Sequence, residues 1–359
     1  MVKLSIVLVM AAVAAAGVFF ATGLHHAIQK QGPNPRIVAM YNEFKAKYGK
    51  LRATPSEDNF RLRVFEKNIA HIEEVNKRAL GYSFAVNDFA DMEKDEFAAK
   101  YYGLGWWKLP SFNGIFGGEN IEPEFREDPQ IEEQPAVQAP SNNYPKDKDW
   151  SDMMHPIEHQ RSCASCYAFS TVAPLELAQL QKYGTKIKLS TQELVDCSDE
   201  FGNNGCRGGW MHQSYDYILK KGELSMEAAY PYMGVDNEFC RLDKMKVKDL
   251  LKGHKTLETH KPSQILEHLQ TTVVPSAVDV SGLLFYSSGV FGGDCSSNIN
   301  HAIVIVGYGV TEDGSKYWKI RNSWGDTWGE SGYLRLKRED QDGVEGKCGI
   351  TNYNVVTLQ

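Results

Sequence analysis

The sequence predicts an α+β protein in which a helical half precedes a strand-rich half, and three observations predict it. Residues from about Pro35 to Gly105, and again from Cys166 to about Leu180, read as helix, with apolar side chains at helical spacing. From Ser276 onward "SAVDV", "HAIVIVGYG", "KYWKIRNSW" and "GYLRLKR" alternate in strand fashion between glycine-rich turns. Helices and strands are thus segregated along the chain, which is the α+β pattern. Between the two helical stretches, Lys108 to Asp149 is rich in Pro, Glu, Asp and Asn and has no periodicity, which is the composition of an accessible linker.

The 359 residues, 42% of them apolar and 24% charged, are enough for a large core. A net charge of -7 with no basic stripe or Lys/Arg block gives no reason to expect nucleic acid as a partner. At the N-terminus Lys3 precedes the run "LSIVLVMAAVAAAGVFFA", and polar residues follow Gly23. That order is the signature of a secretory signal peptide over residues 1–23, with an uncleaved signal anchor as the other reading. No other run is long enough to cross a bilayer, so the chain is expected in the secretory pathway, where disulfides persist.

The next elements are helical. "MYNEFKAKYGK" places Tyr41, Phe44 and Tyr48 on one helix face. Glu57, Arg61, Phe65, Asn68, Ile72 and Asn76 follow at three- and four-residue intervals and form one stripe on a helix. A stripe that mixes Phe and Ile with Glu, Arg and Asn implies specific buried polar pairings. "FAVNDFADMEKDEF" and "YYGLGWW" come next. In the later helix, Pro174 cannot donate to the Ser170 carbonyl, so a kink is expected there.

All seven cysteines lie after residue 160, which suggests three bridges and one odd thiol. In "HQRSCASCYAFS" Cys163 and Cys166 are three apart. The pair reads as half of a zinc site, a redox couple, structural disulfide cysteines, or one structural and one reactive thiol. Zinc would need further ligands at matching spacing, and no second C-x-x-C exists. A redox pair would need a thioredoxin-like βαβ setting, which is absent. Cys166 opens a predicted helix, where the N-terminal field lowers a thiol pKa. His301 opens an apolar strand, an odd place for a polar ring unless it faces a cleft. Asn322 in "RNSWGDTWGE" has the right chemistry to orient an imidazole. Singly, each has a bland structural reading; together they suggest a Cys–His–Asn constellation.

These segments resemble the papain-like cysteine proteases. "QRSCASCYAFS", "LSTQELVDCS", "NNGCRGG", "NHAIVIVGYG" and "IRNSWGDTWGESGYLRL" are similar to that family's motifs, in the expected order. The Glu57-to-Asn76 stripe is similar at all six positions to the propeptide helix of the cathepsin L-like subgroup. "AVNDFAD" is similar to the propeptide motif G-x-N-x-F-x-D, carried here by Asn87, Phe89 and Asp91 with Ala85 in place of Gly. The resemblance covers the chain from about Met40 to the C-terminus. It implies a papain-like two-lobe fold, one lobe helical and one β-barrel-like, behind an N-terminal helical propeptide domain. The implied division is signal peptide or anchor 1–23, inhibitory propeptide 24–107, acidic processing linker 108–143 and peptidase 144–359.

The resemblance implies a zymogen of a cysteine endopeptidase. Cys166 would be the nucleophile and His301 the base, paired as thiolate and imidazolium. Asn322 would orient His301 under the shield of Trp324. Gln160 would share the oxyanion hole with the Cys166 N–H. The implied bridges are Cys163–Cys206, Cys197–Cys240 and Cys295–Cys348. Gly208 and Gly209 would pair with extended substrate. Trp210, Met211, Ala277 and Ile299 would wall an S2 pocket of hydrophobic or aromatic P2 preference. No metal or cofactor is implied. The implied partners are protein and peptide substrates, the chain's own propeptide and cystatin-like inhibitors, with a monomeric mature form free of the membrane. The implied destination is lysosome, vacuole or the cell exterior.

Several residues depart from the family pattern. Arg161 and Ala164 replace glycines, and Tyr167 replaces the usual Trp. Asn300 stands before the His. Two residues are missing between Trp150 and Gln160, and two after Cys348, beneath the S2 pocket. Ala164 stands where a glycine's positive φ is the concern. The competing reading is a non-catalytic papain-like binding or inhibitory homologue, which usually lacks the Cys, His or Asn; all three are present here.

Overall fold

The computed structural model describes residues 33–104, 144–237, 239–241 and 245–359. The apolar N-terminal run and the acidic linker lie outside the described residues. The chain forms two compact units that divide after Ile69.

In the first unit, α1 (Pro35–Tyr48) starts at Asn34, whose Oδ1 accepts the Arg36 N–H at 3.0 Å, with Pro35 in the first turn. It ends at Gly49, where a φ of 61° makes a left-handed cap. α2 (Pro55–Lys77) opens with a reciprocal cap. The Glu57 N–H donates to Thr54 Oγ1 at 3.1 Å, and Glu57 Oε2 accepts the Ala53 N–H at 3.0 Å. The Phe65 ring packs 5.4 Å from Tyr41 and 5.1 Å from Phe44. Tyr41 and Lys45 both donate to Asp58, at 3.1 and 2.9 Å.

The α2 stripe divides between a buried stretch and two backbone-binding ends. Phe65, Asn68 and Ile72 are buried, but Glu57 caps the helix end. Asn76, in the second unit, holds a strand backbone: its Nδ2 donates to Phe84 O and its Oδ1 accepts the Phe84 N–H, both at 2.8 Å.

The second unit is built on a seven-stranded sheet. Its path runs β1 (Tyr82–Phe84), β7 (Tyr286–Phe291), β10 (Tyr333–Lys337), β9 (Lys316–Arg321), β8 (His301–Val310) and β2 (Lys148–Asp149). β6 (Val274–Val278) also pairs antiparallel with β8, Val278 lying opposite His301 and Ala277 opposite Ala302. β1 therefore adds an edge strand to the sheet, antiparallel to β7. The alternation read for β8 is not realised as one wet face. Nearly all of β8 is buried, because α4 (Cys166–Tyr183) packs on it as well as β6 and β9.

The helical half comprises α4, α5 (Thr191–Cys197) and α6 (Met211–Lys221), while α3 (Lys94–Tyr101) precedes them and α7 (Pro262–His268) follows. Two further pairs complete it: β3 (Glu223–Ser225) with β4 (Lys246–Lys248), and β5 (Gly253–Thr256) with β11 (Val355–Leu358). α4 runs through Pro174 as one helix of 18 residues, with almost its whole length buried. Burial of so much apolar side-chain surface outweighs the one bond the ring removes. The bridges are Cys163–Cys206, Cys197–Cys240 and Cys295–Cys348, and Cys166 is free. Closing loops of this length contributes roughly 2–4 kcal/mol each.

Candidate functional site

Cys166 is the first residue of α4, so its side chain sits at a helix N-terminus. The turn before it is held from three sides. Gln160 Nε2 donates to Cys163 O at 3.0 Å, the Ala164 N–H donates to Cys206 O at 3.0 Å, and Cys163 is bonded to Cys206. Gln160 itself is fully buried: its Oε1 accepts the Ser323 hydroxyl at 2.7 Å and its N–H donates to Ser323 O at 2.8 Å. Tyr167, in place of Trp, uses its hydroxyl to donate to Gly205 O at 3.2 Å, tying the helix start to the loop that carries Cys206.

The concern about Ala164 moves elsewhere. Ala164 does not adopt a positive φ; Arg161 does, at 56°. A β-carbon disfavours that region. Here the Arg161 N–H donates to His159 Nδ1 at 2.8 Å, and its guanidinium donates to Met233 O at 3.0 Å.

His301 opens β8 and is fully buried. Its Nε2 lies 2.9 Å from Asn322 Oδ1, and its ring is 4.8 Å from that of Trp324. Trp324 is fully buried among Trp328, Phe89, Phe97 and Tyr101. Its indole thus walls the His301–Asn322 bond from water. The Ala302 N–H donates to Cys166 Sγ at 3.3 Å, so β8 brings the histidine strand to the thiol.

Residues 101–104 lie along this constellation. Tyr101 O is 3.2 Å from His301 Nδ1, Gly103 O accepts the Gly209 N–H at 3.0 Å, and the Leu104 N–H donates to Asn300 O at 3.1 Å. Gly103 has no room for a side chain, since a β-carbon would meet Cys166 Sγ. A β-carbon at Gly208 would likewise meet Gly103 O. Leu104, only 1% exposed, belongs to the buried cluster that includes Met211 and Ala277, with Trp210 and Ile299 packed against it. Tyr353 closes this cluster beyond Cys348, 4.9 Å from Trp210 with its hydroxyl 2.7 Å from His212 Nδ1.

Burial has an electrostatic consequence. It pushes the Cys166 thiol up to about 12, against the smaller opposing effect of the N–H groups of Ala302, Tyr167 and Gly103. It pushes His301 down to about 4, against its bonds to Asn322 and Tyr101. In this closed state the neutral thiol and neutral imidazole are favoured, whereas the resemblance implies an ion pair at rest.

All the residues singled out around Cys166 come together here. The remaining propeptide residues take structural places: Asn87 Nδ2 donates to Leu284 O at 2.7 Å, Phe89 packs edge-on to Trp324 at 5.7 Å, and Asp91 is buried. Sequence reasoning missed Tyr101, Gly103, Leu104 and the Asn300 carbonyl. The signal was the run "YYGLGWW" just after the acidic motif, whose glycine sits between bulky residues. Among the described residues no cluster of His, Cys, Asp or Glu could hold a metal ion, and no helix is long and apolar enough to cross a membrane.

The chain is similar to known proteins over most of its length. Residues 144–358 match the papain family cysteine proteases, and residues 41–97 match the cathepsin propeptide inhibitor domain. The chain is 31% identical over 331 residues to fruit bromelain of Ananas comosus, covering 90% of this chain and 87% of that protein. It is 36% identical over 301 residues to vignain of Vigna mungo, covering 82% and 78%. Among solved structures, digestive procathepsin L2 proteinase from the Tenebrio molitor larval midgut superposes with a TM-score of 0.75 at 29% identity, covering 90% of this chain and all of that one. The chain therefore belongs to the papain family of cysteine endopeptidases and carries a propeptide domain that inhibits it intramolecularly.

Proposed function

We propose that this chain hydrolyses peptide bonds by a Cys166–His301–Asn322 mechanism, and that residues 101–104 block it. The observation that carries this reading is the placement of Gly103 on Cys166 with Tyr101 O on His301 Nδ1. Once that segment leaves, His301 Nδ1 is free to take the thiol proton. The Cys166 thiolate then attacks the substrate carbonyl carbon, and the oxyanion is received by the Cys166 N–H and Gln160 Nε2. His301 passes the proton to the departing amine, leaving a thioester. Water attacks the thioester with His301 as base, and the acid product and Cys166 thiol are released. Asn322 fixes the imidazole by accepting at Nε2, and Trp324 keeps that bond dry.

Leu104 in the Met211–Ala277 cluster supports a hydrophobic P2 preference. With that side of the thiol as the P2 side, substrate runs from Met211 toward Trp324, and residues 101–104 run the opposite way, Tyr101 on Trp324 and Leu104 in the cluster. A reversed peptide does not present its carbonyl productively, which is why the segment inhibits rather than being cut. We take residues 24–107 as propeptide, 108–143 as the processing linker and 144–359 as the peptidase. Papain-like proteases with this propeptide are typically secretory or vacuolar. This chain acts as a monomer, in a lysosome or vacuole or outside the cell, with cystatin-like inhibitors competing for the cleft.

The test is covalent labelling with an epoxide or vinyl sulfone inhibitor after acid incubation, followed by peptide mapping. The label is expected on Cys166 only, and no label under any activating condition overturns the reading. A P2-varied peptide panel is expected to rank Leu and Phe above Arg and Asp.

A further inference from the structure

The propeptide region presses one acid against the cleft at a point the mechanism does not use. His159 directly precedes Gln160, and its main chain bridges that of Trp324. Its Nδ1 accepts the Arg161 N–H at 2.8 Å. A neutral imidazole carries its proton on one nitrogen and accepts on the other, so this bond puts the proton on Nε2. Nε2 faces Asp88 Oδ2 at 3.8 Å. The ring is bounded by Gly325, Phe89 at 6.2 Å and Tyr101 at 6.3 Å. Asp88 occupies a variable position of "AVNDFAD", so its carboxylate is a feature of this chain rather than of the motif.

Asp88, Phe89 and Tyr101 leave with the propeptide, while His159, Gly325 and Trp324 remain. Leu104 marks the P2 side of Cys166, and Tyr101 with Trp324 marks the other. Residues beyond the scissile bond must therefore pass Trp324 and its neighbour His159. We propose that His159 binds a carboxylate on the leaving-group side of the cleft, filled by Asp88 in the proenzyme and by substrate afterwards. This rests on the proteolytic reading above. The carboxylate comes either from an Asp or Glu side chain past the scissile bond or from the substrate's own C-terminus.

The charged groups about the ring are few. Asp88 faces it, Glu158 on one side is held by Lys188 at 2.6 Å, and Arg161 on the other adds positive charge. Burial raises the Tyr101 phenol, which stays neutral.

The test uses the mature enzyme obtained by activating the full chain. Internally quenched peptides share one non-primed half and carry Asp or Asn at each of the first three positions past the scissile bond. Each is made with a C-terminal carboxylate or amide. Rates are referred to active sites titrated with the covalent inhibitor. At pH 5 an acidic peptide is expected to be cleaved about three- to fivefold faster, in kcat/KM, than its neutral twin. The position of the effective Asp, or the preference for free acid over amide, identifies the source of the carboxylate. His159→Asn, whose side-chain oxygen can still accept the Arg161 N–H, is expected to abolish the ratio and keep the rate on neutral peptides. A ratio of one for every pair, or one that persists in His159→Asn, overturns the proposal. If neutral peptides are not cleaved either, the proteolytic reading itself has failed and this proposal falls with it. Asp88→Asn in the proenzyme leaves the mature domain untouched and is expected to speed propeptide release about threefold at pH 5. An unchanged release rate also overturns the proposal.

Discussion

Gly103 rests on the sulfur of Cys166 so closely that a β-carbon there would also stand 2.7 Å from the Ala164 carbonyl oxygen. Neither neighbour can yield, since Ala164 is pinned to Cys206 O and Cys166 begins a buried helix. Gly103→Ala in the proenzyme is therefore expected to lift the segment from the thiol. Overpacking of this kind costs about 1–3 kcal/mol. Alkylation of Cys166 in the intact proenzyme at neutral pH should accelerate by roughly tenfold or more. An unchanged alkylation rate would show that Gly103 does not gate the nucleophile.

Acid should open the same segment through His301. Its pKa in the closed state is about 4, against an ordinary value of 6.5, so the closed state binds fewer protons than the open state between those values. Closure is fully stable above the ordinary value and is lost as pH falls toward about 4. The change across that window is on the order of 3 kcal/mol. It can be read by amide exchange at Leu104 and Gly209 in a Cys166→Ala proenzyme, which cannot process itself. His301→Gln in that background is expected to flatten the pH dependence; an equally steep profile would assign the trigger to other groups.

Asn322 fixes the imidazole that must carry protons. Its Oδ1 is 2.9 Å from His301 Nε2 and also accepts the Ser323 N–H at 2.8 Å. Asn322→Ala leaves Nε2 without a partner under Trp324, so the ring loses its orientation. In the activated enzyme kcat is expected to fall about a hundredfold with KM little changed. A parallel rise in KM would point to a collapsed cleft instead.

The sequence carried the site better than the fold around it, for a physical reason. Cys166 at a helix start, His301 at the head of an apolar strand and Asn322 before Ser-Trp-Gly are each ordinary alone, and it is their combination within family-like motifs that singles them out. The strands at Ser276, His301 and Lys316 were legible from alternation. β1 was not, because a three-residue strand has too little period and exists by pairing with β7, more than two hundred residues away. The strain at Arg161 was assigned to Ala164 instead, because a turn's positive φ depends on contacts to His159 and Met233 that spacing does not encode. The α2 stripe was legible as one helix face, but the backbone partners of Glu57 and Asn76, at Ala53 and Phe84, lie beyond the helix, where spacing does not name them.

Glu176 gives a final prediction, on stability in acid. It is buried in α4, with Oε1 accepting the Leu189 N–H at 2.9 Å, and burial raises its pKa from 4.5 to about 8. Between those values the folded protein holds a proton that the unfolded chain has lost. Stability from this group is therefore full below 4.5 and drains away as pH rises toward 8. Glu176→Gln keeps an acceptor for Leu189 and removes the titration. The variant is expected to gain stability near pH 8, on the order of 2–4 kcal/mol, and to differ little from the parent near pH 4.5. Denaturant melts of both proteins across that range check it. A variant destabilised equally at both ends would mean that Glu176 matters for its shape in the core and not for its charge.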